Sequence, residues 1–229
     1  MPSKSTSTGP GLHPQRQRPG AASQGELAYA GLKDKLTTLA YRPGDHLNTA
    51  VLMEELQLGR TPINQALHRL ATEGLVQIIP RKGVMVSPLS IDDALHLIDV
   101  RLVNETLCSR LAARRVTATQ MAKLREAASD FETASAERNT PRLMNCDRRF
   151  HELIADASGN PVLIEMLRVL HARSQRFWAI SLSAHGHVDE VCAEHRAILQ
   201  ALADGDAETA ARTVEAHILS FRQSLLQGR

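Results

Sequence analysis

Apolar residues recur along most of this chain at three- and four-residue intervals, the spacing of one buried helix face. In the first third, the pattern predicts helices over about residues 26–40, 49–56 and 62–73. They are separated by the turn stretches "YRPGDHL" and "LQLGR". Gly74 ends the third helix, and the alternation then changes to two short β-rich runs, 75–79 and 83–87, around the polar tip Pro80-Arg81-Lys82. After Pro88 the pattern is helical throughout. Six segments are predicted, about 90–115, 117–138, 141–157, 160–183, 187–203 and 206–227, parted by Pro141, "SGNP", "AHGH" and "ADGD". The expected fold is mainly α: an N-terminal winged helix-turn-helix followed by an all-α six-helix antiparallel bundle.

Three stretches frame that division. Residues 1–22 are rich in Ser, Thr, Gly and Pro, and Met1 and Leu12 are their only sizeable apolar side chains. Too little surface can be buried there to offset the entropy of ordering, so a flexible tail is expected. Residues 23–88 then form a small mixed domain and 89–229 a helical one, which suits a chain of 229 residues with 43% hydrophobic content.

Charge is graded along these units, at +3 over residues 1–25, +1 over 26–88 and −2 over the rest. A basic front on a mildly acidic back suits a nucleic-acid module joined to a partner or sensor domain, and equally an ordinary solvated surface. No apolar run approaches the roughly 18 residues that cross a bilayer, and the N-terminus lacks a signal-peptide core, so a cytoplasmic protein without membrane attachment is expected. Cys108, Cys146 and Cys192 are scattered and form no CxxC pair, as reduced thiols would be.

The first chemical constellation is "GRTPINQALHRLATEGLV". Thr61 can cap the helix and Pro62 suits its first position. Ile63, Ala66, Leu67 and Leu70 mark the buried face, leaving Arg60, Thr61, Asn64, Gln65, His68 and Arg69 outside. A guanidinium, a hydroxyl and two amides near a helix N-terminus match the donor and acceptor pattern of a DNA major groove. The blander reading is a solvated polar face.

The second constellation sets polar groups on apolar stripes. Asp147 falls between Leu143 and Ile154, with His151 one turn on; His195 sits among Val191, Ile198 and Leu202; His217 sits among Val214, Ile218 and Phe221. A single inward histidine is commonly a hydrogen-bonded core residue. A divalent metal gives all four a common reason, since an i, i+4 pair can chelate and a hairpin of the last two helices can bring His195 and His217 together. Carboxylate plus imidazole suits zinc foremost, with nickel, manganese or iron as further candidates. A metal-dependent hydrolase is the rival class, but "HELIA" has Ala155 where HExxH needs its second histidine. The chain is expected not to be an enzyme.

Taken together, "PGDHL", "LQLGRTPINQALHRLATEGLV" and "RKGVMV" resemble the N-terminal signature of the GntR family of bacterial transcription regulators. "DRRFHELIADASGNP", "EHRAILQALADGDAETA" and "EAHI" are similar to the ligand-sensing FCD domain of its FadR subgroup. The resemblance covers about residues 24–227. It implies DNA contacts from Arg60, Thr61, Asn64 and Arg69 and from the wing residues Arg81, Lys82 and Gly83, and a metal held by Asp147, His151, His195 and His217. Asn64 stands where the family usually has a basic residue and Gln65 where it has an acid, changes that redirect base reading by roughly 1–3 kcal/mol per bidentate pair. The function expected is that of a homodimer on double-stranded operator DNA, acting as a repressor under control of a small carboxylate effector, although no residue separates repression from activation. Arg101 is the candidate effector-binding group, with a salt bridge to Glu105 one turn on as its other reading. His171 and Trp178 either line the same cavity or are plain core. A purely structural metal in a dimerisation bundle is the alternative to a sensor.

Overall fold

The computed structural model describes residues 22–181 and 187–227. The expected tail over 1–22 and the "AHGH" break lie outside the described residues, apart from Ala22 and His187.

The first unit runs α1 (Gln24–Thr37), β1 (His46–Leu47), α2 (Thr49–Leu56), α3 (Arg60–Thr72), β2 (Val76–Ile79) and β3 (Gly83–Val86). Ser23 caps α1 by accepting from the Glu26 amide, and Asn48 caps α2 through Ala50. The apolar stripe of α3, Ile63, Ala66, Leu67 and Leu70, packs into one core with Leu32, Leu36, Leu52, Leu75 and Val86. Gly74 adopts φ +77°, a left-handed conformation that turns the chain out of α3 at little steric cost. The antiparallel sheet has the order β1-β3-β2, with Ile79 opposite Gly83 at the wing tip.

Three details differ from the sequence reading. α3 begins at Arg60, so its N-cap is Gly59, without a side-chain cap, and Thr61 does not serve that role. Pro62 therefore sits third in the helix, still within the first turn, where amides have no intrahelical acceptor and a missing N–H is harmless. α1 starts two residues earlier and ends three earlier than the apolar spacing suggested, because Ser23 supplies a cap and Leu39 turns at φ +60°. Strand β1 went unpredicted: two residues carry no periodicity, and its pairing to Met85 and Val84 comes from the distant β3.

The second unit comprises α4 (Ile91–Arg115), α5 (Ala118–Ala136), α6 (Thr140–Ala157), α7 (Pro161–Ser181), α8 (His187–Ala203) and α9 (Ala207–Gln227). Ser90 caps α4, and Thr117 with Gln120 forms a reciprocal capping box on α5. α4 packs along α9 and against α6 and α7, α5 pairs with α6 and α8, and α8 returns along α9. Aliphatic and alanine side chains with Phe131, Phe150 and Trp178 fill a second core.

α7 belongs to both units. Ala172 is buried in the first core, and the Arg176 guanidinium donates through Nη2 to the Ser87 carbonyl just after β3. Among the described residues no helix is long and apolar enough to cross a membrane.

Candidate metal centre and DNA-facing helix

Three helices deliver the stripe histidines to one point inside the bundle. His151 of α6, His195 of α8 and His217 of α9 are all buried, and their ligand-capable nitrogens lie within 4.8 Å of one another. Asp147, one turn before His151, brings Oδ1 to 3.5 Å from His195 Nε2 and 3.7 Å from His151 Nε2. Its side chain keeps 17% of its surface open, so it forms the side of the cluster nearest solvent.

Packing fixes these rings. His195 stacks on Phe150 at 4.2 Å between centroids and tilts against Phe131 at 4.8 Å. His217 is set by Glu194, whose Oε2 lies 2.7 Å from Nδ1. A carboxylate on Nδ1 selects the tautomer whose Nε2 lone pair is free for a metal and fixes the ring's orientation.

Burial holds the imidazoles of His151 and His195 well below their usual pKa range, with the neighbouring His217 adding to the effect. Both are therefore neutral, the form that ligates. Burial also pushes the Asp147 carboxyl up to about 6, against the pull of His217, Arg101 and His171. Neither nitrogen of His195 has a hydrogen-bond partner, although the residue is only 1% exposed. Leaving such groups unmet is costly. A cation among two neutral imidazoles, a third oriented by carboxylate, and an aspartate would take the lone-pair nitrogen of His195, so the residues present fit a divalent metal.

Beside the cluster is a cavity of about 40 Å³, lined by Arg101, His171, Ser174, Gln175, Trp178 and Phe221 together with Asp147, His151 and His217. His171 and Trp178 thus do line it. Arg101 combines both of its sequence readings: it is buried, reaches the cavity wall, and pairs with Glu105 through Nε at 2.5 Å. Nη1 donates to Ser174 Oγ at 2.6 Å, and Nη2 lies 3.4 Å from Glu105 Oε2. Of the five guanidinium N–H groups, one on each terminal nitrogen is left over. Burial acts to raise the Glu105 carboxyl, but Arg101 and His171 overcome it and hold that carboxyl well below its usual range.

Glu194, Ser174 and Gln175 escaped the sequence reading. Gln175 and Ser174 follow His171 on α7 at helical spacing, the same signal of polar groups on an apolar face that marked the histidines. Glu194 adjoins His195 in sequence, and nothing in its own spacing points to His217.

In the first unit, Arg60, Thr61, Asn64, Gln65 and His68 of α3 are exposed, as are Arg81, Lys82 and Gly83 at the wing. Arg81 takes φ +64° at the tip. Arg69 is only partly exposed: its guanidinium lies 3.6 Å over the Tyr29 ring, Nη1 donates to Glu26 Oε1 at 2.9 Å, and Nε is 3.7 Å from Glu73. Tyr29 in turn donates to Glu73 Oε1 at 2.6 Å. Arg69 thereby fastens α1 to α3.

Comparison with known proteins agrees with both halves. Residues 24–86 match the family model described as bacterial regulatory proteins, gntR family, and residues 96–220 match the FCD domain model. The chain is 28% identical over 187 residues to the Nta operon transcriptional regulator of Aminobacter aminovorans, covering 82% of this chain and 87% of that one. It is 31% identical over 137 residues to an uncharacterized HTH-type transcriptional regulator of Agrobacterium vitis from the TAR-I ttuE-ttuC' intergenic region, covering 58% and 80%. The solved structure of McbR/YncC from E. coli superposes with a TM-score of 0.83 at 23% identity, over 90% of this chain and 99% of that one, a likeness of fold.

Proposed function

This chain belongs to the GntR family of bacterial regulatory proteins and carries an FCD domain, and from that premise we propose a homodimeric repressor whose grip on operator DNA is set by a small carboxylate at a metal. Residues 23–88 bind DNA, with α3 in the major groove and Arg60, Thr61, Asn64 and Gln65 presented to base edges. Arg81, Lys82 and Gly83 of the wing follow the backbone. Arg69 contributes by holding α3 against α1. Two copies read two half-sites, and the exposed stripe Val100, Val103 and Leu107 on α4 offers an apolar face for the second copy.

Residues 89–229 sense. Asp147, His151, His195 and His217 hold a divalent ion, zinc foremost by ligand type, which would supply a Lewis-acidic anchor for a carboxylate oxygen. The two remaining Arg101 N–H donors take the other oxygen. α7 then links the cavity, through His171, Ser174 and Gln175, to the DNA-binding unit, through Ala172 and Arg176. The observation that carries the reading is the buried convergence of three neutral or oriented imidazoles from three helices, with the lone-pair nitrogen of His195 otherwise unpartnered.

A structural metal in a plain dimerisation bundle is the second reading, favoured by Glu105 already neutralising Arg101. The test is fluorescence anisotropy of the zinc-loaded full chain on an operator selected from random duplexes. Release by a millimolar carboxylate, absent after metal stripping, supports the sensor. If stripping melts the bundle while no acid alters operator affinity, the metal is structural.

A further inference from the structure

We infer that Gln175 reads a hydroxyl on the effector, so that the cavity selects a short hydroxy-carboxylic acid over the plain acid of the same length. The inference rests on the carboxylate-sensor reading above and names the chemistry beyond the carboxylate.

Gln175 is 6% exposed and forms part of the cavity wall. Its Nε2 donates to the Met144 carbonyl oxygen at 2.7 Å. A carbonyl can only accept, so this bond fixes which end of the amide is which. The other end, Oε1, is buried and has no hydrogen-bond partner. A buried amide oxygen without a donor is an exception that calls for an explanation, and Arg101, whose remaining donors suit a carboxylate, does not supply one. A ligand carrying its own donor does.

The donor's chemistry follows from the charge around it. An ammonium group would share the cavity with Arg101, Arg148 and the proposed cation, against one lining carboxylate, Asp147, that the cation itself engages. A neutral hydroxyl donates equally well without that repulsion. Size is bounded too. One water needs roughly 10–15 Å³ on this measure, so about 40 Å³ admits a chain of only a few heavy atoms. The matched probes are therefore lactate against propionate and glycolate against acetate.

The test is calorimetric titration of zinc-loaded full-length protein with each probe, for wild type and for Gln175→Met, which keeps the side chain's length and removes its amide. Wild type should bind each hydroxy acid about tenfold or more tightly than its plain partner, as one buried hydrogen bond implies. In Gln175→Met that ratio should fall toward one, with the plain acid's affinity kept. A hydroxyl could also reach the ion, so a preference that persists in Gln175→Met overturns the assignment to Gln175. Equal binding of both partners by wild type also overturns it, while leaving the carboxylate sensor standing. Binding of no acid at all rejects the sensor and this inference with it. Gln175→Asn, which draws the amide oxygen back by one methylene, gives the same readout if Met is not tolerated.

Discussion

Removing Glu194 tests how far the centre depends on a residue that never touches the ion. Glu194 Oε2 sits 2.7 Å from His217 Nδ1, and its side chain is 20% exposed, so Glu194→Ala opens no hole in the core. Without the carboxylate, His217 loses its fixed tautomer and ring orientation. Partners of this kind typically contribute 10–100-fold in metal affinity, or about 1.4–2.7 kcal/mol. Partial exposure places the expectation at the lower end, about tenfold. Competition for zinc against a chromophoric chelator at pH 7.5 measures it directly, with circular dichroism confirming the fold. Glu194→Gln, which can still accept a hydrogen bond, should fall between wild type and Ala. A dissociation constant unchanged within twofold in Glu194→Ala would mean that His217 needs no orienting partner or is not a ligand.

Three further outcomes are expected. Arg60→Ala should weaken specific operator binding by at least tenfold in an anisotropy titration while leaving metal content unchanged; unaltered affinity would reject α3 as the reading helix. Metal-free protein should lose thermal stability between pH 7 and 5.5. The folded state resists protonation of His151 and His195, which the unfolded chain accepts near pH 6.5, so their contribution is present above that pH and lost below it. Asp147, raised to about 6, works in the opposite sense: its contribution is present below about pH 4 and is lost as pH rises through 6. Two imidazoles outweigh one carboxyl, and metal-free His195→Phe should give a flatter profile; a melting temperature that rises on acidification would contradict this. Arg176, whose pKa burial and Arg173 lower to about 10, stays charged at neutral pH. Arg176→Met should shrink the acid-dependent change in operator affinity to a few-fold while acid binding persists, and full retention of the change would remove α7 as the link.

The parts of this molecule legible in its sequence are those that depend on a residue's own helix. Leu143, Phe150 and Ile154 define a face by spacing alone, and a carboxylate on it is conspicuous before any fold is known. The same held for His195 and His217. The winged unit was readable because Gly74 and the Pro80-Arg81-Lys82 tip punctuate it locally. What escaped depends on neighbours from elsewhere in the chain. Glu194 acquires its role only because α9 lies alongside α8, and Arg69 is drawn onto Tyr29 because α1 crosses α3. β1 exists only by pairing with β3. Gln175 was within reach: it follows His171 by four residues, and a polar residue on an inward face was the signal that found the histidines.

The proposed sensor stands on one ion gripped from α6, α8 and α9 together. Elemental analysis of purified, zinc-equilibrated protein tests it most directly, comparing wild type with the His195→Ala, His217→Ala double variant. One metal per chain is expected in wild type and little or none in the folded double variant. Equal metal content in the two would contradict it.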